Sequence, residues 1–216
     1  METFIVRVWL PDRPGALGAV ASRIGAVRGD VVGIDILERG AGRAIDELAV
    51  ALPDASLVAL LVSEIGEVDG VDVEDVRPAA ELCDTPDPLD TAAALVEASS
   101  PSKLMDELVG RARRGFEADW AAAIDVDDGR LVLAEGNSPE QAWLAAFVAG
   151  SRSSAPVAAG DCGPDDAAWA LLGTSATAVV LGRKGRPFRA RERHQLAALA
   201  RIAGARAAEL KAATLA

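Results

Sequence analysis

The stretch Leu10-Pro11-Asp12-Arg13-Pro14-Gly15-Ala16-Leu17 carries the residue types best suited to hold a small charged molecule. Pro14 fixes φ near the helical value, and its missing N–H is no loss where a helix begins. Gly15 has no Cβ, so a ligand can approach the backbone there. The amides of Gly15, Ala16 and Leu17 stand at the positive end of the helix that follows, a natural seat for a carboxylate. Asp12, with Arg13 beside it, offers an acceptor for the ammonium group of the same molecule. The competing reading makes Asp12 an N-cap accepting from Gly15, and Pro-Gly ordinary turn chemistry.

Other reactive side chains form no recognisable constellation. His194, the single histidine, stands among Arg191, Arg193 and Gln195, with no serine or cysteine nucleophile marked beside it by any motif, and reads as a solvated imidazole. Ser175 lacks the Gly-x-Ser-x-Gly setting of a hydrolase nucleophile. Cys162 reads as a free loop thiol. The cationic run through Arg183, Lys184, Arg186, Arg189, Arg191 and Arg193 fits a solvated helix entry or contacts within its own chain. Nucleic acid is the lesser reading.

Composition sets the class. Half of the residues are hydrophobic and mean hydropathy is +0.20, enough to bury one large core or two small ones. An aromatic content of 4% without tyrosine leaves few surfaces on which bases can stack, and a net charge of −11 opposes phosphate backbones and anionic membranes. One His and 2 Cys cannot supply a four-ligand zinc site of the usual kind. No metal or cofactor is expected. The opening Met-Glu-Thr-Phe-Ile-Val-Arg lacks the basic and apolar regions of a secretory signal, and no apolar run approaches the roughly 20 residues of a membrane helix. The expectation is a cytoplasmic protein without membrane or nucleic-acid partners.

Charge divides the chain. Residues 1–80 hold 7 basic and 14 acidic side chains, residues 81–100 none and 5, and residues 101–216 hold 15 and 14. The acidic, proline-punctuated middle reads as a boundary. Three parts are predicted: a domain over 1–78, a partly helical connector over 79–100 begun by Asp87 and Pro88, and a domain over 101–216.

In the first part Phe4, Val6, Val8 and Leu10 alternate along a strand, with Ile5, Arg7 and Trp9 opposite. Leu17, Val20, Ala21, Ile24 and Val27 form a helical stripe, stopped by Gly29 in the left-handed position. Strands follow over 31–37 and 45–52 around the turn Gly40-Ala41-Gly42. A helix from Asp54 or Ser56 to Gly66 and a strand over 71–76 complete a βαββαβ order. Arg7 and Glu47 are expected to pair on the open face of the sheet, joined by Asp35, and Trp9 on that face suggests a partner surface.

These residues carry a resemblance. The order, with the Asp12-Arg13-Pro14-Gly15-Ala16-Leu17 turn, resembles the ACT domain, a regulatory module that binds amino acids, over residues 3–77. The resemblance implies a ligand between this turn and a neighbouring subunit, and side-by-side or face-to-face pairing. Where such modules often place an Asn at the start of the second strand, this chain has Asp30 and Val31. The ligand-binding residues it implies are Asp12, Arg13, Pro14, Gly15, Ala16, Leu17 and Val31.

In the last part Ser100 and Pro101 open a helix, and residues 120–126 and 131–135 form a hairpin about Asp127-Asp128-Gly129-Arg130. Ser138-Pro139-Glu140-Gln141 reads as a capping box for a helix carrying Trp143, Leu144, Phe147 and Val148 on one face, stopped by Gly150. A loop over 151–164, strands over 169–172 and 176–181, and a helix over 191–215 follow. With Pro187, Phe188, Glu192 and Leu196 leading into the last helix, this part is similar to a GAF domain, a fold that binds small molecules or serves only to dimerise. No Asn-Lys-Phe-Asp cyclic-nucleotide signature is present.

The fold expected is therefore α+β: a ferredoxin-like, ACT-like domain and a GAF-like antiparallel sheet with helices. The function expected is non-enzymatic regulation by a small metabolite, an amino acid, in a homodimer with a further regulatory partner. The alternative is a ligand-free dimerisation or interaction module.

Overall fold

Strand β1 (Glu2–Pro11) buries Phe4, Val6, Val8 and Leu10 on one face, as its alternation requires. The computed structural model describes residues 1–79, 86–159 and 163–215. The chain falls into two compact units, Met1–Asp84 and Thr85–Ala216. In the first, β1 lies between β3 (Arg43–Leu52) and β4 (Asp72–Pro78), with β2 (Asp30–Gly40) outside β3, all antiparallel. Helices α1 (Ala16–Ala26) and α2 (Val58–Gly66) cover one face, where Val20, Ile24, Leu61 and Ile65 meet Val6, Val8, Leu48 and Val50. Each such burial contributes about 1.5–3 kcal/mol. This is the expected ferredoxin-like arrangement.

The helix stop differs from the expectation. Arg28, at φ 61, takes the left-handed position, while the Gly29 amide reaches back to the Ile24 carbonyl at 2.9 Å. Glycine at 29 is required by space instead. A Cβ there would stand 2.9 Å from Ile24 Cγ2 and 3.1 Å from Leu52 Cδ2. The β2–β3 hairpin turns on Ala41 (φ 50) and Gly42 (φ 77), both in the left-handed region that a two-residue I′ turn demands.

The second unit holds a sheet in the order β6-β5-β8-β7, formed by β5 (Trp120–Asp125), β6 (Leu131–Gly136), β7 (Ala167–Leu171) and β8 (Thr177–Gly182). Helices α3 (Pro88–Glu97), α4 (Pro101–Gly115) and α7 (Ala190–Leu215) enclose one core with Ala121, Ala123, Val179 and Leu181. The alternate residues Ala122, Ile124, Ala178 and Val180 face α5 (Gln141–Arg152) through Leu144 and Val148. Both proline-opened helices start where expected. Asp87 accepts from the Leu89 amide at 2.7 Å, and Ser100 accepts from the Lys103 amide at 3.3 Å. Helix α3 contributes Leu95 to the core of this unit.

Four local expectations fail here. The capping box at Ser138 does not form: Glu140 is the N-cap of α5 and makes no side-chain cap bond, so the helix begins two residues later than a box would place it. Helix α5 passes Gly150 to end at Arg152, and a short helix α6 (Ala155–Ala159) occupies part of the expected loop. Trp143 is 47% exposed, stacked on Phe147 at 5.2 Å, while Leu144 and Val148 are buried in the core and half-buried Phe147 packs against it as expected.

Three arginines of the cationic run, Arg183, Arg186 and Arg193, are bound into their own unit. Arg183 is buried, ion-paired to Glu192 at 2.6 Å, and donates to the carbonyls of Phe116 (2.7 Å), Arg186 (2.7 Å) and Pro187 (3.1 Å). Its guanidinium also lies over the Phe188 ring, 4.1 Å from the centroid. Arg193 donates to the carbonyls of Pro164, Ala167 and Phe188, and Arg186 pairs with Glu117. His194 is exposed and Ser175 half-buried. The thiol reading of Cys162 lies outside the described residues.

Candidate functional site at the entrance to α1

Pro14 and Gly15 form the centre of a β-turn. The Ala16 amide donates to the Arg13 carbonyl at 3.3 Å, and Gly15 stands at φ 90, ψ −16. Pro at the second position and a positive φ at the third are the signature of a type II turn. This revises the role expected for Pro14: it sets the turn two residues before the helix rather than occupying its first position. Asp12 does not cap. The N-cap is Gly15 itself, and no side chain bonds the first turn of α1.

The turn leaves a specific set of donors. The Ala16 amide is engaged in the turn, whereas those of Gly15, Leu17 and Gly18 have no acceptor among the described residues. The unbonded amides therefore extend one residue further into the helix than expected, to Gly18. Positions where a Cβ would stand on Gly15 and Gly18 are open, with nothing within 4 Å. No acidic side chain lies in the first turn of α1 to complement its positive end.

The surroundings are charged and convergent. Asp12, Arg13, Pro14 and Gly15 are exposed, Leu17 half-buried and Ala16 buried. The Asp12 amide bonds the Gly42 carbonyl at 2.9 Å, which ties the turn to the β2–β3 hairpin. Arg13 stands 4.0 Å from Asp69, and a Cβ on Gly70 would meet Pro11 Cγ at 3.0 Å. Val31 is not part of this cluster within one chain. It opposes Val50 near one end of β3, while the turn leaves the sheet where Leu10 opposes Ala44. Six residues of strand, about 20 Å, separate the two.

Sequence reasoning missed Asp46. It lies on the helix-covered face of β3, 3% exposed, and its Oδ1 has no hydrogen-bond partner among the described residues. Burial pushes its carboxyl above the usual range, Arg39 pulls it back, and Asp12 adds to the rise. The signal was available as the one acid in the row Ala44, Asp46, Leu48, Val50, Leu52.

On the opposite face of the sheet the expected Arg7–Glu47 pair forms. Arg7 and Glu47 are register partners and pair at 2.8 Å, with Arg7 1% exposed. Arg77 joins them at 2.9 Å. Asp35 is the register partner of Glu47. Half-buried Trp9 donates to Glu74 at 3.3 Å and lies under the Arg43 guanidinium. Burial works against the charge on Glu47, but Arg7 and Arg77 outweigh it and hold its carboxyl below the usual range.

The two acids give opposite pH dependences. A raised folded-state pKa contributes stability that is present at low pH and lost as pH rises through it; Glu47, with a lowered one, contributes stability lost as pH falls. Asp46→Asn is therefore expected to be more stable than the parent at neutral pH. That difference should close on acidification below the ordinary carboxylate range near ~3.9. Urea titrations across this range check it, and a gap independent of pH would show that Asp46 does not titrate as a buried acid.

No family model matches the chain, and no curated protein does. Structure comparison finds a crystal structure of an unknown protein from Galdieria sulphuraria, with 16% identity and a TM-score of 0.33 over 45% of this chain and 64% of that one. It also finds a formyltetrahydrofolate deformylase from Pseudomonas putida KT2440, with 19% identity and a TM-score of 0.31 over 35% of this chain and 28% of that one. The chain spans less than two thirds of either protein. Likenesses of this strength assign no family. Among the described residues no group of three or more His, Cys, Asp or Glu side chains is placed to hold a metal, and no helix is long and apolar enough to cross a membrane.

Proposed function

We propose that this chain is a non-enzymatic regulatory protein of the cytoplasm whose ACT-like first unit binds an amino acid at the entrance to α1. Its GAF-like second unit serves assembly and transmission in a homodimer, with neither nucleic acid nor membrane as partner. The observation that carries this reading is the set of amides at Gly15, Leu17 and Gly18 that find no acceptor among the described residues, at the positive end of an eleven-residue helix with open space beside both glycines. Asp12, exposed and not used as a cap, stands beside them for the ammonium group.

Thermal melts against the twenty standard amino acids test it, since a ligand at 100 times its Kd stabilises by about 2.7 kcal/mol. Gly18→Glu is the informative variant. A side chain there meets open space, replaces a poor helix former and places a carboxylate in the first turn. It is expected to raise the stability of the free protein by about 1 kcal/mol and to abolish the amino-acid shift. An undiminished shift in Gly18→Glu would place the ligand elsewhere.

A second reading, assembly without a ligand, is favoured by edge strand β2, where Val32, Ile34 and Ile36 are 58%, 50% and 38% exposed. Such an edge is a template for pairing with another copy. Sedimentation is expected to give a mass near twice 22.2 kDa, and Ile34→Lys to return it to the monomer. A concentration-independent monomer in the parent protein excludes the dimer under either reading.

A further inference from the structure

Asp46 breaks an apolar row on the covered face of β3. Its register partners are Val8 on β1 and Ile36 on β2. Val8, Leu10 and Ala44 share one core with Ala16 and Val20 of α1, so Asp46 lies on the helix-covered face, two residues along β3 from the point where Leu10 opposes Ala44 and the chain leaves the sheet for the turn into α1. Its Oδ1 is buried and makes no hydrogen bond among the described residues. Folding seldom leaves a desolvated carboxylate oxygen without a donor, and an exception calls for a partner not supplied by the fold. The charged groups that bear on Asp46 come from both flanking elements: Asp12 from the turn that enters α1, and Arg39 from the edge strand.

An α-amino acid carries its two charges on one carbon. A site for it must bring amide donors and a carboxylate acceptor to one spot, which an acid on the covered face near the turn into a helix does. We infer that Asp46 is the floor of the amino-acid site. Its carboxylate, with that of Asp12, receives the ammonium group, while the Gly15, Leu17 and Gly18 amides hold the ligand carboxylate. Ile36, beside Asp46 in register and exposed, together with Ile34, offers the ligand side chain an apolar surface. The ligand class is thus an apolar amino acid. The inference rests on the amino-acid reading of the turn and adds the residue that distinguishes an amino acid from a simple carboxylate.

Calorimetric titration of the full chain with the twenty standard amino acids, in buffers of different ionisation enthalpy, tests it. At a pH within the carboxylate titration range, about 4–5, the amino acid that binds is expected to release protons from the parent protein, because an ammonium partner lowers the carboxyl that burial had raised. Asp46→Asn is expected to bind it about tenfold or more weakly, the loss of a charge-assisted hydrogen bond, and to release none. The des-amino acid of the same skeleton should bind both proteins alike. Equal affinity and equal proton release in Asp46→Asn would overturn the role of Asp46 while leaving the turn site standing. Preference for polar or charged amino acids would overturn the apolar side-chain surface. Failure of every amino acid to bind the parent protein would remove the reading and this inference together.

Discussion

Arg183→Met is expected to lower the stability of the second unit by about 3–5 kcal/mol, the range for breaking a buried ion pair from one side. The guanidinium has three carbonyls and Glu192 around it, on a side chain only 2% exposed. Met fills much of the space but takes the guanidinium's charge from buried Glu192 and its three donated hydrogen bonds from the carbonyls. Arg183→Lys should recover little, since one ammonium cannot serve partners spread around a planar fork. Removing both charges, Arg183→Met with Glu192→Leu, should recover part of the loss, because the desolvated acid goes too. Urea denaturation measures all three. A loss below about 1 kcal/mol in Arg183→Met would show the cluster to be as weak as a surface pair.

Gly204→Val in α7 is expected to cost about 3 kcal/mol, the upper end for overpacking. A Cβ at this position would stand 2.5 Å from the Leu172 carbonyl carbon and 2.6 Å from the Gly173 nitrogen. Those are backbone atoms at the end of β7, so no side chain can turn aside. Gly204→Ala decides the mechanism. Helix propensity alone predicts a gain of about 1 kcal/mol, whereas the contact predicts a net loss. Thermal melts of the Ala variant give the sign, and a stabilised protein would contradict the close packing of α7 on β7.

Much of this architecture was legible because its signals are local. Alternation from Phe4 to Leu10 specified β1, and its pairing with β3 followed from the βαββαβ order. Asp87-Pro88 and Ser100-Pro101 announced two helices through capping chemistry that needs no tertiary context. The misreadings are places where one sequence signal has several structural uses. Gly29 looks like a left-handed helix stop, yet Arg28 takes that conformation and Gly29 is needed for clearance against Ile24 and Leu52. Pro14-Gly15 suits a helix start or a type II turn, and only the Ala16-to-Arg13 bond decides. Ser138-Pro139-Glu140-Gln141 has capping-box residues, but the chain enters α5 later.

The arginine run shows a different limit. The sequence leaves it between a solvated helix entry and contacts within its own chain, and Arg183 and Arg193 take the second because backbone carbonyls surround them, a tertiary fact with no local pattern. At the site, the turn was visible by type and spacing. Which amides stay unbonded was not, since that depends on the turn class. Asp46 was visible as a lone acid in a core-facing row, but its missing partner emerges only when three strands and a helix are assembled around it.

The most direct measurement of the central claim is an amide nitrogen–proton correlation spectrum of the full chain, recorded while the best-binding amino acid is titrated in. The account predicts that the largest shifts fall on Gly15, Leu17 and Gly18, moving as their protons gain a carboxylate acceptor, with a smaller response at Ala16, already bonded to Arg13. Saturation without change at those three amides, or the largest shifts elsewhere in the chain, would contradict it.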